Sequence, residues 1–261
     1  MVQRVRIRYA KRGPLRFTSH RDFARAFERA VRRAGVPIAF SQGFTPHPKI
    51  SYASAAPTGV ASEAEYLEIG LRAPVDPDRL VVDLDAALSP GLDVLAAVEA
   101  RGGPSLADRI DASVWRIELE GLDARAVRDA VDAFRAASEV LVERLTKQGR
   151  RTFDARGAVV KIDTSAGSTD FTGSEEAGLP SAAGKAPCAI LNLVVRQVTP
   201  SVRPDDVLAG LRVVADLVPP VPSRVTRLAQ GRLTTQGEIV DPLAADNDGT
   251  ISGDPSGKDG P

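Results

Sequence analysis

The hydrophobic positions of this chain switch repeatedly between two periods. Residues 3–10 alternate, with Val5, Ile7 and Tyr9 on one side and Arg4, Arg6 and Arg8 between them. That is the two-residue period of a half-buried strand. "KRGP" turns the chain, and "LRF" (Leu15 to Phe17) is a short strand or strand end. From Ser19 the period becomes helical. Ser19 is the N-cap, Asp22 three residues on completes a capping-box-like start, and Gly35 and Pro37 stop the helix. At about 100° per residue, Phe23, Phe27, Ala30, Val31 and Ala34 gather on one side. Arg21, Arg25, Arg29 and Arg32 fall opposite, within a sector of about 80°, with Arg33 at its edge.

The alternation then resumes. "PIAF" and "ISYAS" read as short strands around a loop, and "EYLEIGL" points Leu67, Ile69 and Leu71 inward. A helix ("DPDRLVVDLDAAL") and a strand ("GLDVLAAVEA") complete a β-α-β-β-α-β series. The second half repeats it: strand "SVWRIELEGL", helix "DARAVRDAVDAFRAA", strand "SEVLVERLTK", the runs "GAVVKID" and "CAILNLVVRQ", helix "RPDDVLAGLRVVADL" and strand "SRVTRLAQGRL". The openings "VDPDRL" and "VRPDDV" each set a proline in the first helical turn with an acid behind it. The pattern predicts an α+β fold of two tandem ferredoxin-like (split βαβ) units, with antiparallel sheets and helices on one face. Their ranges are 1–104 and 105–240. Residues 165–187 lack periodicity and read as a flexible loop within the second unit. Residues 241–261, rich in Asp, Gly, Ser and Pro, read as a disordered tail.

Composition adds an asymmetry that the zero net charge hides. Residues 1–60 carry twelve Lys and Arg against two acids, Asp22 and Glu28; residues 61–130 carry fifteen acids against seven arginines. Such polarity points to a face for an anionic partner, or to pairing between the two segments. No apolar run approaches the ~20 residues of a membrane helix, and the amino-terminal residues form a strand pattern instead of a signal peptide. The expectation is a cytoplasmic protein that makes no membrane contact. The single cysteine, Cys188, excludes an internal disulfide and any cysteine-held metal cluster, so such a cluster would have to come from another chain.

Candidate chemistry concentrates near the two histidines. In "SQGFTPHPKI", Gly43 permits a positive φ, and Pro46 and Pro48 brace His47. A His-Pro-Lys run lacks the donors of a central strand, so His47 and Lys49 belong to a rigid loop. Phe44 either anchors that loop in the core or stacks on a base. His20 opens the basic helix, where free backbone N–H groups favour anions. These features nominate Arg16, Arg21, Arg25, Arg29, Arg32, Arg33 and Lys49 as phosphate contacts. Ser19, His20, Ser41, Gln42, Phe44, His47 and Glu65 are nominated as a pocket. Glu63 and Glu65 share a strand face and could pair with the helix arginines, hydrogen-bond a substrate amine, or stay solvated. The histidines with Asp22, Glu63 or Glu65 match no compact metal motif, and the arginines would repel a cation, so no metal is expected. P-loop, nucleophile-elbow, Rossmann and CxxC motifs are missing from the sequence.

"RYAKRGPLRFTSHRDFARAFERAVRRAGVPIAFSQGFTPHPKISYASAAPTGVASEAEYLE" resembles the signature of the radical SAM-linked protein family, a domain of unknown function. The resemblance rests on a Tyr-x-Lys-x-Gly turn, Arg-Phe-x-Ser-His, the arginine-bearing helix, Ser-x-Gly-Phe-x-Pro-His-Pro-Lys and Glu-x-Glu-Tyr. It is dense over 4–68 and loose over 69–235. It departs at Arg21, where the family more often has leucine. The resemblance implies a partner: a radical SAM protein that can carry an iron–sulfur cluster, S-adenosylmethionine and cobalamin, with none of these bound by this chain. It also implies a free-standing, actinobacterial-type version encoded near an RNase E/G-type ribonuclease and ribosomal proteins. No activity comes with it. Together these readings lead to an accessory domain that binds RNA, tRNA or rRNA, for modification by that partner. Two alternatives stand beside it. One is an RNA-modifying enzyme of pseudouridine-synthase-like architecture, with Asp154 of "RRTFDARG" as its nearest catalytic candidate. The other is a protein-interaction module that docks the radical SAM partner.

Overall fold

The computed structural model describes residues 1–146, 149–167 and 187–247. Its fold is mixed α+β, with far more strand than helix. The first half comprises β1 (Gln3–Lys11), α1 (His20–Arg33), β2 (Ile50–Ala53), β3 (Ala61–Leu71), α2 (Pro77–Ala87) and β4 (Leu92–Glu99). The second comprises β5 (Ala112–Glu120), α3 (Ala124–Ala136), β6 (Leu141–Thr146), β7 (Gly149–Asp154), β8 (Val159–Gly167), β9 (Cys188–Arg196), α4 (Pro204–Ala215) and β10 (Arg224–Leu233). β11 (Ile239–Val240) and the single-turn α5 (Ala244–Asn247) follow.

α1 forms where the sequence places it. Ser19 Oγ accepts the Asp22 N–H at 3.2 Å, a cap of the kind that contributes ~1 kcal/mol. Phe23, Phe27, Ala30 and Val31 are buried, and burying each phenylalanine is worth about 1.5–3 kcal/mol. Gly35, at φ +64°, ends the helix, with the Val36 N–H returning to the Val31 carbonyl.

Nine strands make one sheet in the order β4-β1-β3-β10-β5-β9-β8, with β2 also beside β3 and β11 beside β10. The expected antiparallel sheets are thereby corrected. The two halves share a single sheet, and at its centre β3 and β10 run parallel, pairing Ala61 with Thr226 and Ser62 with Arg227. β2 pairs with β3 further along, from Ile50 opposite Ile69 to Ala53 opposite Tyr66. One apolar cluster packs Val5, Ile7, Leu67 and Ile69 under α1 and α2. Another packs Trp115, Ile117, Leu191 and Leu193 under α3 and α4. Arg227, the register partner of Trp115, bonds Glu65, the register partner of Tyr9. Both helix pairs therefore lie on the same face.

Other expectations change in detail. "PIAF" is not a strand: Ile38 and Phe40 make only isolated bridges, to Leu71 and Pro48, because Pro37 and Pro48 have no ladder donors. "RRTFD" is β7, which pairs with β6 in a hairpin outside the main sheet. Residues 165–167 extend β8, while the rest of the expected loop to 186 lies outside the described residues. The expected disordered tail is corrected over its first seven residues. Leu243 packs with Leu106 and Ile110 on the sheet face away from the helices, and Asp246 is buried. Specific ion pairs hold this segment, which composition alone does not register. Residues 248–261 lie outside the described residues.

Candidate functional site

The basic residues of the first half fall into two groups with opposite surroundings. On β1, every arginine finds a carboxylate. Arg4 and Arg6 reach Glu68 at 3.5 and 2.9 Å, Arg6 also reaches Asp246 at 2.7 Å, and Arg8 reaches Asp241 at 3.1 Å. Arg12, just past the strand, pairs with Glu63 and Asp93. Arg6 is fully buried, as is the carboxylate of Asp246, which also takes hydrogen bonds from Arg109 and the Arg101 N–H. Burial opposes the charge on Asp246. The hydrogen bonds from Arg109, Arg6 and Arg101 outweigh it and hold the carboxyl below its ordinary value.

On α1 the pattern reverses. Arg21, Arg25, Arg29 and Arg32 are exposed along one face. Among the described residues no carboxylate lies within 4.0 Å of any of them. Arg33 instead donates to the Ala87 carbonyl, and Arg16 lies 4.5 Å from the Phe17 ring centre. Unpaired like charges at i and i+4 destabilise a helix unless an anion neutralises them.

The loop before β2 is closed on itself. The Ser41 N–H donates to the His47 carbonyl at 2.8 Å, and the His47 N–H donates to Ser41 Oγ at 3.0 Å. Gly43, at φ +129°, makes the turn. At the tip Phe44 is fully exposed, so it does not anchor the loop in the core. Phe17 and Phe40 are also more than half exposed. Three aromatic rings of the first half are thus open to solvent.

The nominated pocket separates into three places. Ser41 and His47 stay together, and His47 with Lys49 borders a shallow groove shared with Arg4, Glu68 and Gly70. Gln42 is exposed in the same loop. Ser19 serves as the helix cap, and its neighbour His20 meets the Tyr52 ring edge-on, with ring centres 4.8 Å apart. Tyr52 faces Phe23 of α1, whereas Ser51 and Glu68 lie on the other side of the sheet. The two histidines thus have separate partners, Tyr52 for His20 and Ser41 for His47. Burial, aided by Glu28, pushes the Tyr52 hydroxyl well up.

Glu65 is the plainest correction. It is 2 % exposed, paired with Arg227, and accepts the Ala56 N–H at 3.0 Å. It belongs to a buried polar network at the seam between the halves, not to the histidine loop. Glu63 pairs with Arg12 instead of the helix arginines. Asp154, the candidate of the pseudouridine-synthase alternative, accepts the Val140, Arg156 and Gly157 N–H groups at 2.8–2.9 Å. Burial works against its charge, but those three donors outweigh it and hold the carboxyl below its ordinary value. That is the geometry of a turn holder. Among the described residues no group of three or more His, Cys, Asp or Glu is arranged to hold a metal, and no helix is long and apolar enough to cross a membrane.

Fold and site together define an α+β protein built on one shared sheet, with an uncompensated arginine face on its first helix. The chain belongs to a family described as uncharacterized proteins conserved in bacteria (DUF2344), whose pattern matches residues 4–204. No curated protein matches it.

Proposed function

We propose that this protein is a non-catalytic accessory protein that binds RNA through α1 and the adjoining loop. In this reading it presents tRNA or rRNA to a radical SAM enzyme in the cytoplasm. The observation that carries the reading is the contrast among the arginines. Those of β1 are all neutralised within the chain, and those of α1 are left open on a rigid helix. Arginine forks suit phosphates, and the exposed Phe17, Phe40 and Phe44 offer stacking faces for unpaired bases. The radical SAM partner enters through the sequence resemblance. Cys188 is the chain's only cysteine, so an iron–sulfur cluster, S-adenosylmethionine and cobalamin would sit in that partner.

Within the same proposal each half is a ferredoxin-like unit. The orders β4-β1-β3-β2 and β10-β5-β9-β8 support it, each having a helix after its first and third strand of the series. In the second half the β6–β7 hairpin follows the first helix.

The test is filter binding of total tRNA and of ribosomal RNA fragments across a salt series. Single-stranded contacts give a log–log slope of about −0.7 each, so four arginines on phosphates give about −3. Absent binding, or binding indifferent to salt, overturns the reading.

A further inference from the structure

A second feature lies on the helix face, at the seam where β3 meets β10. There a cavity of about 350 Å³ opens between the 54–57 segment of the first half and the 196–204 segment of the second. A hydrogen bond from Gln197 Nε2 to Ser54 Oγ at 3.1 Å ties the two segments together. Trp115, Val195, Val198 and Val202 supply an apolar wall, and Arg196, Arg203 and Arg227 supply the charge. Among the described residues no acid lines it.

The charge beneath this cavity is unbalanced. Arg227 is 2 % exposed and lies with its guanidinium carbon 5.4 Å from the centre of the Trp115 ring. It donates to Ser62 Oγ, Gln230 Oε1 and Glu65, which leaves N–H capacity over. Lys11 is buried in the same network and donates only to the Ala56 and Pro57 carbonyls, at 3.3 and 3.2 Å. Two buried cations therefore face one buried carboxylate, Glu65. At the rim, Arg196 and Arg203 are exposed, and neither is ion-paired among the described residues. Asp206, in the first turn of α4, is already held by Arg144 at 2.7 Å and by the Arg203 N–H. Arg227 lines the cavity with N–H capacity to spare and two guanidinium groups stand open at its rim, a set that favours an anion.

The lining narrows the class of anion. Guanidinium groups favour phosphate, which they can grip bidentately. The indole and valine wall suits a flat heteroaromatic ring, and Ser54, Ser113 and Ser201 add hydroxyls to the lining. The volume lies at the small end of ligand pockets, about 300–1,000 Å³, which fits one nucleotide and not two. From this geometry we infer that the seam cavity binds a single nucleotide unit, phosphate on Arg196 and Arg203 and base against the Trp115 wall. The inference does not rest on the α1 reading.

Trp115 is the chain's only tryptophan, so its fluorescence reports the cavity directly. Titration with AMP is expected to change its emission saturably, with a Kd below about 1 mM. Adenosine and inorganic phosphate should each bind about tenfold more weakly or worse, since each keeps half of the contacts. The double variant Arg196→Ala/Arg203→Ala, at two exposed positions, should lose at least about tenfold in AMP affinity with its Tm unchanged. Arg25→Ala/Arg29→Ala should bind AMP as wild type, which separates this site from α1. A short oligoribonucleotide that displaces AMP identifies RNA as the source of the nucleotide, and one that does not identifies a free nucleotide; the site takes a nucleotide either way. Emission that does not respond to AMP, an unaffected Arg196/Arg203 variant, or phosphate binding as tightly as AMP would overturn the inference.

Discussion

Two rows of arginine, one on β1 and one on α1, each line a single face of their element yet do opposite things. The β1 row sits on the sheet face away from the helices, where Glu68, Asp241 and Asp246 meet it. It fastens the segment that follows β11 onto the sheet. The α1 row meets no carboxylate among the described residues. The lesson is that a basic stretch of sequence becomes a binding face only where the fold withholds its acids. Here Glu68 from the acidic middle of the chain and Asp241 and Asp246 from its far end serve one row, and none of them reaches the other.

That contrast can be broken from either side. The largest expected effects come from removing the buried acids. Asp246→Ala removes the carboxylate that Arg6 and Arg109 share, leaving Arg6 only Glu68 and Arg109 no acid among the described residues, and should cost about 3–5 kcal/mol, read by urea unfolding. Glu65→Ala, which strands Arg227 and Lys11, should cost a similar amount. Next comes pH. The Asp246 carboxyl is held below its ordinary value in the folded state, so the unfolded chain binds that proton more readily. Its stabilisation is complete above the ordinary carboxylate range and is lost as pH falls through the depressed folded value. Asp246→Asn, if it folds, should flatten that acid limb of the stability curve. Smaller still, Ser19→Ala removes the α1 cap and should cost ~1 kcal/mol in Tm-based stability. The smallest effect has the opposite sign. Arg25→Ala/Arg29→Ala relieves like-charge repulsion and should leave stability unchanged or raise it by about 0.5 kcal/mol. A clear destabilisation there would show that these arginines serve the fold.

The helices and most strands were legible because their signals are local. Ser19, the Phe23/Phe27 stripe and Gly35 set out α1 unaided, and the Val5/Ile7/Tyr9 alternation set out β1. What the sequence hid depends on contacts distant along the chain. Joining the halves into one sheet takes the parallel pairing of Ser62 with Arg227, far apart in sequence. The burial of Asp246 depends on Arg6 and Arg109. Glu65 resembled a site residue because it neighbours Tyr66 in a quotable motif, whereas its partner lies in β10. The seam cavity was missed for the same reason: Trp115, the 196–204 segment and Arg227 come from three stretches far apart in the chain with no common spacing.

The most direct test of the account is the salt slope of RNA binding, measured side by side for the wild-type chain and Arg25→Ala/Arg29→Ala. If α1 is the RNA face, losing two phosphate contacts lowers affinity at every salt concentration and makes the slope shallower by about 1.4. Equal slopes and equal affinities would contradict the claim that the unpaired arginines are the binding surface.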